Sequence, residues 1–334
     1  MCCTPTRWVA QRETWASVVS PWEEALARFP DHTPFLTPLW QRIWWRHFGQ
    51  GREPLLLSFR EGQRLLGVAP LCRQGETILF LGETDLFDYH DFIVPRGDEE
   101  AFYTALVHTL EGLPWERLLL LSLREDSPTM THLPPLLRRR GWACQVEEED
   151  VAPGLPLPST WEAYLEGLDR HHRHEVRRKI RRLAQEGFTH YYAINDPNVL
   201  WGFLDDFFSL MRRSADAKAR FLTPQREAFL RDVCMALAEA GIVRLYFLEH
   251  RGQRVAAALC FDYNGQRLLY NSGYDPAYGH LSVGLVLKAY TVKDAIEGGL
   301  AYYDFLRGDE EYKTRLGGRP RRLLRLTLWR SPPA

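Results

Sequence analysis

Apolar and polar residues alternate, or apolar residues gather in short blocks, from Leu55 to Leu81 and from Ile242 to Tyr274, whereas other stretches repeat their apolar positions at three- and four-residue steps. These are the periods of strands and of amphipathic helices. They predict a helix over Pro38–Phe48, strands over Leu55–Arg60 and Arg64–Arg73 around a Glu61-Gly62-Gln63 turn, and a strand over Thr77–Leu81. A helix over Asp98–Glu111, a strand over Arg117–Leu123, a helix over Leu133–Arg140 and a strand over Trp142–Glu148 follow. Trp161, Tyr164, Leu168, His172, Val176, Ile180 and Leu183 fall on one seam and predict a single long helix. Helices over Val199–Arg213 and Pro224–Ala240 lead to a meander of strands over Ile242–Glu249, Arg254–Tyr263 and Arg267–Tyr274. A helix over Ser282–Glu297, closed by Gly298-Gly299, precedes strands over Tyr302–Leu306 and Leu323–Trp329.

The acidic, proline-bearing stretch from Glu147 to Thr160, with Pro153, Pro156, Pro158 and Gly154, disfavours helix and central strand and reads as a linker between residues 1–152 and residues 153–334. Gly62-Gln63-Arg64 and Gly252-Gln253-Arg254 occupy equivalent turns between two strands, each followed by an apolar strand with a Leu-Cys pair, which suggests a duplicated unit. A length of 334 residues accommodates two such domains.

With 45% hydrophobic and 25% charged residues the chain is of globular composition, which sets disorder and fibrous classes aside. A net charge of -1 provides no global attraction to nucleic acid or membrane. Cys2, Cys3, Cys72, Cys144, Cys234 and Cys260 form no paired framework or zinc motif, as in a protein with reduced thiols. No secretory h-region occupies Met1–Gln11 and no apolar run reaches membrane-spanning length, so the expected location is the cytoplasm.

Candidate chemistry concentrates between Tyr270 and Leu316. A glycine-bearing turn, Tyr274 to Gly284, enters a helix whose first N–H groups and positive dipole end suit a pyrophosphate, with Ser282 as the expected N-cap; an ordinary capped helix has the same outline. The basic run Arg170–Arg182 places Arg177, Arg178, Arg181 and Arg182 opposite Val176, Ile180 and Leu183, as either a solvated face or a contact for a phosphate-bearing or acidic partner. His171, His172 and His174 cannot share one helix face, which argues against a metal site. Trp40, Trp44 and Trp45 fall at helical spacing and read as core.

Gly273-Tyr274-Asp275-Pro276, Leu281-Ser282-Val283-Gly284 and the run Tyr303-Asp304-Phe305-Leu306-Arg307-Gly308-Asp309-Glu310-Glu311-Tyr312-Lys313 resemble the CelD/BcsL-type acetyltransferase domain of the GNAT superfamily. Phe35–Trp40 with Trp44–Phe48 is similar to that family's opening segment, and Val283 stands where the family usually has proline. The resemblance implies an α/β (α+β) fold of two tandem GNAT-like domains, each a mixed, mostly antiparallel sheet flanked by helices, as in the Fem peptidyltransferases.

It also implies acetyl-CoA or another acyl-CoA lying between the strands Arg267–Tyr274 and Tyr302–Leu306. The pyrophosphate would then sit at Tyr274, Gly279, His280, Leu281, Ser282, Val283 and Gly284. Tyr312 is the expected acid for the departing thiolate, and Asp304 the expected base or water-positioning group unless it pairs with Arg307. Lys313 resembles the lysine of Fem enzymes, and Arg307 joins the basic helix as an expected substrate contact. The implied activity is acyl-CoA-dependent N-acylation of a small or carrier-linked amine. The alternatives are Fem-type aminoacyl-tRNA-dependent peptidyl transfer, disfavoured by the lack of a helical-hairpin insertion, and a non-catalytic binding module.

Overall fold

The computed structural model describes residues 8–29 and 32–330; Cys2, Cys3 and the part of Met1–Gln11 before Trp8 lie outside the described residues. Its strands are β1 (Val9–Glu13), β2 (Glu53–Glu61), β3 (Arg64–Gln74), β4 (Thr77–Phe80), β5 (Arg117–Arg124), β6 (Cys144–Val151), β7 (Gly154–Pro156), β8 (Thr189–Ile194), β9 (Val243–His250), β10 (Gln253–Tyr263), β11 (Gln266–Tyr274), β12 (Tyr302–Asp304) and β13 (Arg322–Trp329). The α-helices are α1 (Val19–Leu26), α2 (Pro38–Phe48), α3 (Glu99–Gly112), α4 (Pro128–Arg139), α5 (Trp161–Gly167), α6 (Arg170–Gln185), α7 (Pro197–Ser214), α8 (Asp216–Phe221), α9 (Pro224–Glu239), α10 (Val283–Glu297) and α11 (Glu311–Arg315).

The chain divides into two compact units, the first ending at Asp150 but regaining the chain from Arg321, the second running over Val151–Pro320. Their sheets run β1-β2-β3-β4-β5-β13-β6 and β7-β12-β11-β10-β9-β8. The second read backwards repeats the first: an antiparallel meander, β1 to β4 or β8 to β11, whose last strand pairs in parallel with β5 or β12. The Gly62-Gln63-Arg64 and Gly252-Gln253-Arg254 turns join equivalent strands, β2 to β3 and β9 to β10, and a bulge follows each, at Leu66 and at Val255. The fold is therefore the mixed α/β, tandem arrangement expected.

Three expectations are corrected by the geometry. The strand Leu323–Trp329, placed by its position with the second domain, pairs antiparallel with β5 of the first sheet. The stretch read as a linker is largely strand: β6 runs to Val151, and Gly154–Pro156 forms β7 at the edge of the second sheet, where a proline costs no ladder hydrogen bond. The long helix over Trp161–Leu183 is two, because Asp169 accepts the His171 and His172 N–H groups at 2.9 and 3.0 Å and starts a new helix.

Each sheet has its own core. In the first, the α3 face of Phe102, Leu106 and Leu110 lies among Phe59, Leu71, Leu118 and Leu326. In the second, α10 buries Val283, Val286, Leu287, Val292 and Ile296 among Tyr246, Ala258 and Tyr303. Trp40 and Trp44 are fully buried.

Candidate functional site

The second unit has an opening built into its sheet. β11 and β12 share only three parallel rungs, Gln266↔Tyr302, Arg267↔Tyr303 and Leu268↔Asp304; β12 then stops, while β11 runs on to Tyr274. Just past the parting, the β10 ladder steps from Cys260↔Leu269 to Leu259↔Asn271, so Tyr270 sits in a bulge that turns the strand locally. Helix α7 backs this part of β11 so closely that a Cβ on Gly273 would lie 2.6 Å from the Leu210 carbonyl oxygen.

Local chemistry ends β12. Asp304 Oδ1 accepts the Leu306 N–H at 2.8 Å, and Leu306 and Gly308 adopt positive φ of 59° and 108°. The chain then wraps around one ammonium: Lys313 Nζ donates to the carbonyls of Leu306 and Gly308, both at 3.0 Å, to that of Arg307, and to Glu310 Oε2 at 2.8 Å. Lys313 is 1% exposed, so four acceptors in a buried place make its ammonium the centre of the loop. The half-buried Arg307 enters this loop through its backbone.

Tyr312 leaves the same loop on α11. Its half-buried ring stands edge-on to Phe305, centroids 6.3 Å apart, and Lys288 Nζ of α10 lies 4.4 Å above its centre. Sequence reasoning did not find Lys288, which is 8% exposed and whose one hydrogen bond among the described residues is a long one, 3.5 Å, to the Gly284 carbonyl. Burial, then the neighbouring Lys218 charge, bring Lys288 down to about 7. Lys218, of α8, donates to the Ser272 carbonyl on β11, and burial holds it at about 8. Its neighbours Glu310 and Lys313 act in opposite directions.

The turn expected to bind pyrophosphate contains a 3-10 turn, Pro276–Leu281, followed directly by α10. Asp275 anchors it: Oδ1 accepts the Ala277 N–H at 3.1 Å and Oδ2 accepts Arg213 at 2.5 Å. The expected Ser282 cap is corrected. Ser282 occupies the N-cap position in a left-handed conformation, φ 58°, and its hydroxyl caps nothing; its N–H goes back to the Gly279 carbonyl. The 3-10 turn thus absorbs the N–H groups before the helix, leaving those of Val283 and Gly284 in α10's first turn as the donors for an anion. Val283 and Leu281 are buried, Gly279 and His280 are exposed, and the Gly284 Cα faces the Tyr274 ring, where a Cβ would lie 3.2 Å from Cδ1.

Arg177, Arg178, Arg181 and Arg182 are exposed on α6 and pair with no described residue; Lys179 and Arg315, by contrast, share Glu175. In the first unit, a small pocket lies past the end of β4. The space lined by Tyr89, His90, Asp91, Arg124 and Ser127 measures about 40 Å³, room for a water or two. Burial raises Asp91 there to about 7 despite its bonds from Thr129 and the Phe92 N–H. Among the described residues no group of His, Cys, Asp and Glu is arranged to hold a metal ion, and no helix is long and apolar enough to cross a membrane.

Residues 170–314 match the family model described as an acetyltransferase (GNAT) domain. The crystal structure of FemX is similar over 95% of this chain and 96% of that one, at 12% identity and a TM-score of 0.66. The structure of L-PGS from Bacillus licheniformis is similar over 88% and 92%, at 10% identity and 0.54. A tandem GNAT protein from the clavulanic acid biosynthesis pathway is similar over 98% and 100%, at 14% identity and 0.50. At these identities the likeness is one of fold. No curated protein matches the chain.

Proposed function

We propose that the second unit is an acyl-CoA-dependent N-acyltransferase of the CelD/BcsL type, with the thioester between β11 and β12 and the cofactor phosphates at the start of α10. The observation that carries this reading is the parting of two parallel strands after Leu268 and Asp304, with Tyr312 on the segment that follows β12. In the reaction the acceptor nitrogen bonds to the acyl carbon, the carbon–sulfur bond breaks, the amine loses a proton and the thiolate gains one. Tyr312 is the donor to sulfur. Asp304 and Lys313 act as positioning residues, since their polar atoms shape the loop from which Tyr312 emerges.

The pyrophosphate assignment is tested at Gly279, where a side chain meets open space, rather than at Gly284, where any side chain presses on Tyr274. Gly279→Asp puts a negative charge beside the helix start and should weaken acyl-CoA binding about fivefold, the equivalent of ~1 kcal/mol, with the melting temperature unchanged. Equal affinity in both proteins by calorimetry removes the turn from the cofactor site.

The four exposed arginines of α6 favour a second reading, aminoacyl-tRNA-dependent transfer, with the FemX-like architecture in its support. If α6 binds a polyanion, the double variant Arg177→Glu, Arg181→Glu should weaken tRNA retention and flatten its dependence on salt. Retention with the same salt slope in both proteins assigns these arginines to a solvated face.

A further inference from the structure

The chain uses 37 arginines and only five lysines, yet Lys218, Lys288 and Lys313 converge on one place beside Tyr312. The fold shows how it holds a buried cation kept for structure. Arg267 is matched by both oxygens of Asp262 at 2.7 Å, by Asp294 at 2.8 Å and by the Thr291 carbonyl at 2.9 Å. Lys313 has Glu310 and three carbonyls. Lys288 and Lys218 have no carboxylate bonded to them among the described residues, only one backbone carbonyl each. A buried ammonium lacking such partners is costly unless something supplies them.

We propose that Lys288 and Lys218 form a receptor for an anionic group, carboxylate or phosphate, carried by the amine acceptor; this rests on the acyltransferase reading above. Two compact ammonium charges suit an oxyanion. They stand where the acceptor must be aligned, one on the Tyr312 ring and the other on the β11 carbonyl of Ser272. The other titratable groups around Lys288 are Glu310, Lys313 and the buried Cys260 thiol. Glu310 is the one carboxylate near the three ammonium groups and bonds to Lys313, so an arriving anion meets a net positive charge. An anion bound there favours the charged form of Lys288, so its titration midpoint rises on binding.

Because five lysines give few resonances, the full chain labelled with 13C/15N-lysine reads each ammonium separately, with Lys288→Met and Lys218→Met as assignments. Lys288→Met removes a buried charge and should fold with a higher melting temperature at pH 7. That gain should fade toward pH 10.5, where the unfolded-state lysine also loses its proton. Inorganic phosphate and glutarate are the two probes, added with CoA absent and at saturation.

A rise of about one unit in the Lys288 midpoint with either probe, retained in the presence of CoA and lost in Lys218→Met, is the expected result, and the effective probe identifies the anion as phosphate or carboxylate. An unmoved midpoint with both probes overturns the receptor. So does a shift produced by CoA alone with no further response, which would assign the lysines to the donor. Calorimetric CoA binding on the same sample keeps the two readings apart: an intact CoA isotherm with silent probes removes only the receptor, whereas probe binding without CoA binding removes the acyl-CoA reading.

Discussion

Replacing Tyr312 with phenylalanine is expected to lower turnover by roughly 10²- to 10⁴-fold, the usual contribution of a general acid, while acyl-CoA affinity stays within about twofold. The substitution isolates the hydroxyl. The ring that packs edge-on to Phe305 remains, and so does the aromatic face beneath Lys288 Nζ, so α11 and its loop keep their packing. An acyl donor whose leaving thiol is already acidic, such as an acyl thiophenol ester, should recover much of the lost rate, because its thiolate departs without a proton. Wild-type turnover by Tyr312→Phe with acetyl-CoA, with chemistry shown to limit the rate, would return Tyr312 to a packing residue.

The largest expected effect on stability comes from Gly273→Ala. A Cβ there would lie 2.6 Å from the Leu210 carbonyl oxygen and closer still to neighbouring backbone atoms of Leu210 and Met211. Those atoms are backbone, and they belong to a helix whose buried stripe, with Leu204, Phe207 and Phe208, fixes it in place, so the clash cannot be relieved by turning a side chain. The variant should lose about 3 kcal/mol in urea unfolding. Because the displaced strand is β11, acyl-CoA affinity should fall with it. An unchanged midpoint would mean that α7 and β11 slide apart freely, contrary to the close packing described here.

The features legible in the sequence are those with local causes. The β9 to β11 meander follows from alternation and short glycine turns, and the strand, turn and helix around Tyr274 to Glu297 from the switch of period. The run Tyr303–Lys313 names the loop residues, although spacing could not reveal that Lys313 and Asp304 use their polar atoms to form it. The return of β13 to the first sheet is a non-local pairing with no signal in its own residues. Two signals were present and outweighed: Asp169 before Arg170-His171-His172 is an N-cap inside an apparently continuous seam, and Lys288 interrupts an apolar run, Val286-Leu287-Lys288-Ala289, that is buried throughout. The Tyr270 bulge rests on register alone, which only the paired strands disclose.

Calorimetric titration of the full chain with acetyl-CoA, alongside deacylated tRNA, separates an acyl-CoA-dependent transferase from a tRNA-dependent one. One cofactor should bind per chain at micromolar affinity, weakened by Gly279→Asp and preserved in Tyr312→Phe. No heat with acetyl-CoA or longer acyl-CoAs, together with salt-dependent retention of tRNA, would contradict the acyl-CoA reading and leave the aminoacyl-tRNA reading in its place.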